Sequence, residues 1–454
     1  MLRPAAFPAG FIWGTATSAY QIEGAAAADG KSESIWDRFA HTPGKIADGS
    51  TGDTACDHYH RYREDVALVR ELGLGAYRFS VSWPRVIPHA DGAVNGAGLD
   101  FYDRLVDELL AAGTTPYPTL FHWDLPTWVQ DAGGWADRAS IGWFAAYADA
   151  VVRRLGDRIG TWLVLNEPHI LTVLGHETGV HAPGAADHDL ALRVGHIVNL
   201  AHAEGVRAVR AAAPASTVGS AWNMDVTYPA SEDPADVAAA ERFHARINGW
   251  YLDPLLKGVY PDAYLDMDAA HAAMDVRPGD MEAVRAEFDV IGLNLYSRAI
   301  VAHDPGDALS GMRRLQGPGW RTSFDGEVWP ASLRRILRRV DAEYGHPAIL
   351  VTENGCADPT GPGADGLVHD ADRVRYLEGH LGQLARAIDE GVDVRGYFAW
   401  SLLDNFEWAA GYGQRFGIVW VDFAGDLRRV VKDSARRYAA IAAGAPLEYD
   451  DTLE

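Results

Sequence analysis

The sequence predicts an α/β protein built as a single closed (β/α)8 barrel, or TIM barrel, with elaborated loops after its strands. Short β-rich runs alternate with longer amphipathic stretches along the 454 residues, and eight such alternations favour a barrel. No linker rich in proline, serine or repeated charge divides the chain, so we expect one domain over residues 1–454. Hydrophobic residues make up 48% of the chain, which is enough for the large core that such a barrel needs.

The predicted elements follow one another in regular order. We place strands at residues 11–17, 76–82, 116–122, 162–166, 217–222, 290–296, 348–352 and 396–400. Helical periodicity is clear at residues 62–72, 99–112, 141–155, 192–212, 237–250, 333–343 and 373–389. The alternative is a doubly wound open sheet, which would need a Gly-rich phosphate-binding turn after an early strand. Residues 14–20 (Gly-Thr-Ala-Thr-Ser-Ala-Tyr) are not such a turn, which favours the barrel.

Composition limits the partners and the compartment of this protein. With 63 acidic and 40 basic residues the formal net charge is −23, which disfavours nucleic acid and anionic membrane surfaces as partners. There is no uninterrupted apolar run long enough to span a bilayer and no apolar signal core after Met1. Two cysteines, Cys56 and Cys356, form no disulfide framework and fit a reducing cytosol. We therefore expect a cytoplasmic protein, and a homo-oligomer is left open.

Polar and aromatic residues follow most predicted strands at the end where barrels carry their chemistry. The long loops at residues 169–189 and 298–323 are expected to cover this end. Carboxylates and amides bind hydroxyl groups, while an indole face covers the apolar face of a pyranose ring, so this combination predicts a sugar site. The residues, in strand order, are Gln21, Arg78, His122, Trp123, Asn166, Glu167, Asn294, Tyr296, Glu353, Trp400, Glu407 and Trp408.

Glu167 and Glu353 are the candidate catalytic pair, at the ends of strands 4 and 7. Glycoside hydrolysis needs one protonated carboxyl group to assist the leaving oxygen and one ionised carboxylate as nucleophile or base. A separation of about 5–5.5 Å would let the second carboxylate attack carbon 1 directly, with retention of configuration. The charge of Glu353 would disfavour ionisation of Glu167, and the cation of Arg78 would keep Glu353 ionised.

Each of these features taken alone has a plain structural explanation. The Asn-Glu-Pro run at Glu167 can be an ordinary strand-ending turn, and the Asn-Gly pair after Glu353 favours a tight turn. Their joint occurrence on successive strands, in one order, favours the functional interpretation. Taken singly, the other candidates would be core, ion-pair or surface residues: His122, Arg78, Trp400, Trp408 and Glu407.

Five longer sequence motifs accompany these residues at the strand ends. They are residues 11–24 (Phe-Ile-Trp-Gly-Thr-Ala-Thr-Ser-Ala-Tyr-Gln-Ile-Glu-Gly), 56–62 (Cys-Asp-His-Tyr-His-Arg-Tyr), 78–85 (Arg-Phe-Ser-Val-Ser-Trp-Pro-Arg), 400–408 (Trp-Ser-Leu-Leu-Asp-Asn-Phe-Glu-Trp) and 415–418 (Arg-Phe-Gly-Ile). Over nearly the whole chain the set resembles glycoside hydrolase family 1, the β-glucosidase family. The resemblance implies retaining hydrolysis of terminal β-D-glucosyl residues from oligosaccharides and from aryl or alkyl β-glucosides, through a glycosyl-enzyme and without metal or organic cofactor.

The resemblance also implies a role for each matched residue. Glu167 would be the general acid/base and Glu353 the nucleophile, held by Arg78 and Tyr296, while Asn166 would bind the sugar 2-hydroxyl. The remaining matches are binders of the 3-, 4- and 6-hydroxyls (Gln21, His122, Glu407 and Trp408), a stacking floor (Trp400), further pocket residues (Trp123 and Asn294) and a nearby aromatic (Phe416). A carboxylate at position 407 would repel a 6-phosphate, so we expect neutral β-glycosides as the small-molecule partners.

Other functions on the same scaffold stay open. One is a β-galactosidase, β-fucosidase or transglycosylase, and another is a catalytically inactive glycan-binding barrel, which would be expected to lose one of the glutamates. The family's tryptophan on the leaving-group side is matched here by Gly326. Either Trp320 or Trp329 takes its place or that side is more open, and we expect it to be permissive.

Overall fold

Eight parallel strands form the centre of the molecule and close into one barrel. The computed structural model of the chain describes residues 2–324 and 326–450. In chain order each strand pairs with the next, and the last pairs with the first. The strands are β1 (Ile12–Ala16), β2 (Ala76–Ser80), β3 (Thr115–Phe121), β4 (Thr161–Asn166), β5 (Thr217–Asn223), β6 (Val290–Leu295), β7 (Ile349–Asn354) and β8 (Val394–Trp400). The predicted fold class is confirmed, and each predicted strand boundary lies within two residues of the observed one.

A helix follows each strand and packs on the outside of the barrel. These helices are α1 (His58–Glu71), α2 (Gly96–Ala111), α3 (Ala139–Leu155), α4 (His188–Ala212), α5 (Pro234–His244), α6 (Ala331–Glu343), α7 (Ala371–Asp389) and α8 (Asp433–Ala442). Local sequence sets their starts: the Asp233 carboxylate accepts from the Ala235 N–H, and Pro234 needs no hydrogen-bond partner at the first position of α5.

Two helices differ from the prediction. The helix expected at residues 237–250 changes at Ala245 into a π-helical turn, Ala245–Gly249, which leads into Trp250–Leu256. The last helix, α8, has no counterpart among the predicted helices. It has only ten residues, and only three buried apolar side chains form its inner face: Ala435, Tyr438 and Ile441. Helical periodicity is difficult to recognise over so short a segment.

Smaller elements fill the loops at the two ends of the barrel. A three-stranded sheet of Val226–Pro229, Arg298–His303 and Met312–Leu315 joins the loops after β5 and β6. Two short pairs of strands are formed by Leu2–Pro4 with Glu448–Asp450 and by Val419–Val421 with Arg429–Val431. The short helices are Ala19–Ile22, Ala28–Gly30, Ile35–Ala40, Trp83–Val86, Thr127–Asp131, Gly134–Ala136, Pro168–Thr172, Val173–Glu177, Met267–Met274, Asp280–Ala283 and Trp408–Ala410.

The core consists of side chains between the strands and the helical layer. Strand β4 is typical, because Trp162, Leu163, Val164 and Leu165 are all fully buried, as expected for a parallel strand that is covered on both faces. Six tryptophans are at most 2% exposed: Trp36, Trp83, Trp135, Trp162, Trp222 and Trp250. Cys56 and Cys356 are buried free thiols. In the described part of the chain no helix is long and apolar enough to cross a membrane.

Candidate active site

A cavity of about 760 Å³ opens at the carboxyl ends of the barrel strands. Ligand sites in proteins commonly have this size and contain a few polar groups among apolar walls. Nine of the residues predicted from the sequence line the cavity directly: His122, Trp123, Glu167, Tyr296, Glu353, Trp400, Glu407, Trp408 and Phe416. The other four are buried behind them, and each is hydrogen-bonded to one of the nine: Gln21, Arg78, Asn166 and Asn294.

Glu167 and Glu353 face the same cavity from different strands. Glu353 is the penultimate residue of β7, and Glu167 is the first residue after β4. Glu167 has a φ of 48°, in the left-handed region that non-glycine residues rarely adopt, and Pro168 starts a short helix directly after it. Strain of this kind is typical of residues that are held in place for function. Both side chains are almost completely buried.

The Glu353 carboxylate is held by two strong donors. Nη1 of Arg78 donates to Oε1 at 2.5 Å, and Oη of Tyr296 donates to Oε2 at 2.5 Å. Arg78 is itself fixed, because its other nitrogens donate to Thr119 Oγ1 and to Asn166 Oδ1 at 3.1 and 2.6 Å. Burial raises the pKa of Glu353, and Arg78 and Tyr296 oppose this rise. These two donors therefore stabilise the ionised form of Glu353, which an isolated buried carboxylate would lack.

Glu167 has a different environment. Its Oε1 accepts a hydrogen bond from Nδ2 of Asn294 at 2.7 Å, and no cation is bound directly to it among the described residues. Burial raises the pKa of Glu167 well above its ordinary value, and the nearby charge of Glu353 raises it further. The two carboxyl groups are thus pushed apart in proton affinity, with Glu167 as the group that keeps its proton.

His122 and Asn166 form a second polar set beside the pair. Oδ1 of Asn166 accepts from Arg78 and from Asn294, so its amide nitrogen is the atom that points at His122 Nε2, 3.1 Å away. Nε2 must therefore accept, which leaves the proton on Nδ1. Burial and the charge of Arg78 lower the pKa of His122, so the ring is neutral. Nδ1 is buried without a partner in the described structure and can donate to a bound hydroxyl group.

Gln21 and Glu407 form the third polar set. Nε2 of Gln21 donates to Asn405 Oδ1 at 3.0 Å, to the Phe406 carbonyl at 3.0 Å and to Glu407 Oε2 at 3.4 Å. Its amide oxygen accepts from the Ser18 hydroxyl, which fixes its orientation. Burial raises the pKa of Glu407 to about 8, with a smaller contribution from the charge of Glu353.

Aromatic rings complete the floor and the sides of the cavity. The His122 ring lies nearly parallel to both Trp400 and Trp408, with centroid distances of 5.8 and 6.0 Å. Trp123 packs against Trp408 at 4.6 Å, and its indole N–H donates to the carbonyl of Asn166. Trp123 and Trp408, like Glu167, have positive φ angles, of 80° and 50°. Apolar ring faces next to directed donors and acceptors are what recognition of a pyranose requires.

Comparisons with known proteins agree with this geometry. The sequence model of glycosyl hydrolase family 1 matches residues 3–445. The chain belongs to glycosyl hydrolase family 1. Among its relatives, β-glucosidase A of Thermotoga maritima is 44% identical over 444 residues, which cover 97% of this chain and 99% of the relative. A bifunctional β-D-glucosidase/β-D-fucosidase of Bifidobacterium breve is 43% identical over 460 residues, covering 96% and 98%.

A solved structure of a family 1 enzyme has the same fold. The β-glucosidase from Thermotoga maritima in complex with deoxynojirimycin superposes with a TM-score of 0.92 at 43% identity, and the match covers 96% of this chain and 98% of that chain. The predicted family is therefore confirmed, and the protein is a glycoside hydrolase. Within the described residues no group of three or more His, Cys, Asp or Glu side chains is arranged to hold a metal ion.

The part of the cavity around Gly326 is the one for which the sequence left two alternatives, a substitute tryptophan or a more open wall. Gly326 lines the cavity, and a Cβ built on it would meet only Thr322 Oγ1 at 3.4 Å and Ser297 Cβ at 4.0 Å. Neither Trp320 nor Trp329 lines the cavity. Trp320 packs under the Arg375 guanidinium instead, and Trp329 is covered by that of Arg298. Neither tryptophan therefore takes the place of the family's tryptophan.

Several residues of the site were missed by sequence reasoning. Asn223 ends β5, lines the cavity and stabilises the ionised form of Glu167. The sequence does indicate Asn223, because this polar residue directly follows the predicted strand at residues 217–222, just as polar residues follow the neighbouring strands. Thr119, Thr352 and Asn405 also support the site by bonding to Arg78, to Asn294 Oδ1 and to Gln21. A lone threonine in a strand carries no comparable signal.

Proposed function

We propose that this enzyme is a retaining β-glucosidase, which removes terminal non-reducing β-D-glucosyl residues from oligosaccharides and from aryl and alkyl β-glucosides. The observation that carries the proposal is the buried pair of glutamates with unequal environments. Glu353 is held by a cation and a phenol, whereas Glu167 is contacted by the neutral amide groups of Asn294 and Asn223. A protonated and an ionised carboxyl group in one sugar-sized cavity are what the double-displacement mechanism requires.

In the first step Glu353 attacks carbon 1 of the glucoside, while Glu167 donates its proton to the leaving oxygen. The bond from carbon 1 to the leaving oxygen breaks, and a covalent glucosyl-enzyme forms on Glu353. As charge leaves the Glu353 carboxylate, Tyr296 and Arg78 keep it oriented. In the second step Glu167, now ionised, takes a proton from water, and the resulting attack on carbon 1 releases β-glucose and restores Glu353.

The glucosyl unit would be recognised by the three polar sets around the pair. Asn166 would bind the 2-hydroxyl, where hydrogen bonds strengthen in the transition state. His122 Nδ1 has no partner in the described structure and supports a hydroxyl contact, and Gln21 and Glu407 offer further acceptors and donors. The other proposed contacts are Trp400 as the stacking floor, Trp408 at the outer hydroxyls, and Trp123, Asn294 and Phe416 as further pocket residues.

The leaving-group side is proposed to be permissive. Gly326 carries no side chain there, and the space its Cβ would enter is free of close contacts. We expect kcat/KM for alkyl, aryl and glucosyl leaving groups on the same glucosyl unit to agree within about tenfold, that is about 1.4 kcal/mol. A preference of several hundredfold for one of them would contradict this. Cello-oligosaccharides would be among the substrates, which would link the enzyme to cellulose degradation.

A panel of nitrophenyl β-glycosides tests the proposal directly. The gluco-configured substrate is expected to have the highest kcat/KM, and the fuco- and galacto-configured ones to react measurably, since Gln21 and Glu407 can serve either 4-hydroxyl. The relative from Bifidobacterium breve is a bifunctional β-D-glucosidase/β-D-fucosidase, which supports this second specificity. Proton NMR of the first product should show the β-anomer. Initial formation of α-glucose, or no turnover of any β-glycoside, would refute the proposal.

Two further properties are proposed from the architecture. All eight strands belong to one closed barrel, which supports a single domain over the chain. The buried free thiols Cys56 and Cys356 support a reducing, cytoplasmic location. Cell fractionation with an antibody against the chain would test the location, and a single cooperative unfolding transition would support the single domain.

A further inference from the structure

Phe324 is a large apolar side chain that stays exposed in an active-site cavity. It is 49% exposed, yet its ring lines the same cavity as Glu167 and Glu353. The residues proposed to bind the glucosyl unit are buried, with Gln21 at 0% and His122 at 2% exposure. Phe324 therefore lies at the mouth of the cavity, on the side where a leaving group extends.

The ring is held in place by a well-anchored turn. The N–H of Thr322 donates to the Gly326 carbonyl at 3.0 Å, and the N–H of Val328 donates to the Trp320 carbonyl at 2.8 Å. These two bonds flank the segment that carries Phe324. Next to it, the Glu327 carboxylate accepts from Nε and Nη2 of Arg298, at 2.9 and 3.1 Å.

The far side of the turn is tied to the loop after β8. Oγ of Ser323 donates to Gln414 Oε1 at 3.1 Å, and the Phe324 ring meets the Phe416 ring edge-on at 5.9 Å. Phe416 in turn meets Tyr296 edge-on at 5.8 Å, and Tyr296 donates to Glu353. The exposed ring is thus linked to the proposed nucleophile by two aromatic contacts and one hydrogen bond, and the aromatic contacts set its direction.

A second part of the cavity lining contains Asn223, Asp225, Arg314 and Phe243. Asp225 and Arg314 form an ion pair at 3.4 Å, and the Arg314 guanidinium lies over the Phe243 ring, 5.7 Å from its centroid. The Phe243 ring therefore already faces a guanidinium group, whereas the Phe324 ring keeps an exposed face. With Gly326 beside it, Phe324 has room for a flat ring to stack on its free face.

We infer that Phe324 is a specificity-determining residue, which replaces the missing tryptophan and gives aromatic leaving groups a modest advantage over alkyl ones. The inference rests on the β-glucosidase function proposed above. Its size should be that of one aromatic contact, about fivefold in kcat/KM. Trp320 and Trp329 have no such role, because arginine side chains cover their rings outside the cavity.

The test compares phenyl and methyl β-glucoside, which share the glucosyl unit, in the wild type and in three variants. In Phe324→Ala and Phe324→Leu the ratio of the two kcat/KM values should fall about fivefold, since both lose the ring. Leucine keeps most of the volume, so agreement between the two variants excludes a collapse of the turn. Trp320→Ala removes an aromatic ring that is 37% exposed but lies outside the cavity, and its ratio should stay within twofold of the wild type.

The outcomes separate this inference from the proposed function. If the wild type cleaves both glucosides and the ratio stays within twofold in both Phe324 variants, only the aromatic wall is wrong. An equal fall in Trp320→Ala would also overturn it, because the effect would then not belong to the cavity. If the wild type cleaves neither glucoside, the proposed function fails and the inference fails with it.

Discussion

Substitution of Arg78 by methionine tests what keeps the pKa of Glu353 below that of Glu167. Arg78 is fully buried, and its guanidinium contacts Glu353, Asn166, Thr119 and the Thr352 carbonyl. Methionine can replace the apolar stem of the arginine side chain but provides neither the charge nor the donors. Glu353 would then keep the Tyr296 hydroxyl as its one strong donor.

The magnitude follows from the geometry of the ion pair. Arg78 Nη1 and Glu353 Oε1 are 2.5 Å apart, which places the charge centres about 4 Å apart. At the effective dielectric constant of about 20 that suits such sites, the attraction is about 4 kcal/mol. Its loss should raise the pKa of Glu353 further, so less of the nucleophile is ionised at any given pH. We expect kcat/KM near the optimum to fall about 10²–10³-fold.

The assay is the pH dependence of kcat/KM with an aryl β-glucoside. Because Glu353 must be ionised, activity falls as the pH drops through its pKa, and in Arg78→Met this acid limb should move to higher pH. Arg78→Lys keeps the charge but loses the planar fork, so its acid limb should move less. Arg85→Met is the matched control, because Arg85 is an equally buried arginine paired with Glu23. An acid limb that moves no further in Arg78→Met than in Arg85→Met would refute the reasoning.

Three further predictions concern the acid, the nucleophile and a buried support. Glu167 must be protonated and its pKa is raised, so kcat/KM should fall as the pH rises through that pKa. Glu167→Gln should remove this fall and slow the hydrolysis of alkyl glucosides about 10²–10⁴-fold. An unchanged alkaline limb in this variant would count against the assignment. Glu353→Ala should lose turnover, and azide should partly restore it with an α-glucosyl azide as product; near-normal rates without azide would exclude Glu353 as nucleophile. Lys432→Met removes a fully buried partner of Asp404, 2.7 Å away, but leaves Asp404 its ion pair with Arg415, so it should cost about 1.5–3 kcal/mol in urea unfolding. The partly exposed Lys257→Met should cost less than about 1 kcal/mol. Equal losses in the two lysine variants would show that burial of the pair does not matter.

Much of the fold could be predicted because its signals are local. Parallel strands that are buried on both faces appear as short apolar runs, as in β4, and the helices between them are long enough to show their period. The site residues at strand ends were found for the same reason, since Glu167 and Glu353 come directly at the ends of β4 and β7. The topology of a barrel then brings together residues that are far apart in sequence.

The remaining features depend on contacts that no local pattern encodes. Phe324 reaches the cavity because the Glu327–Arg298 ion pair anchors its turn, and Trp320 in the same segment points elsewhere. The positive φ of Glu167 is imposed by the surrounding structure rather than preferred by glutamate. The tautomer of His122 follows from a chain of hydrogen bonds through Asn166, which becomes visible only when the side chains are in place.

Covalent trapping of the nucleophile tests the central claim most directly. An activated 2-deoxy-2-fluoro-β-glucoside should inactivate the enzyme by forming a stable glycosyl ester. The fluorine slows both steps, because it destabilises their oxocarbenium-like transition states, whereas the activated leaving group speeds only the first. We expect one label per chain by intact mass, on the peptide that contains Glu353, and no label in Glu353→Gln. A label on another carboxylate, or a label that persists in Glu353→Gln, would contradict the account.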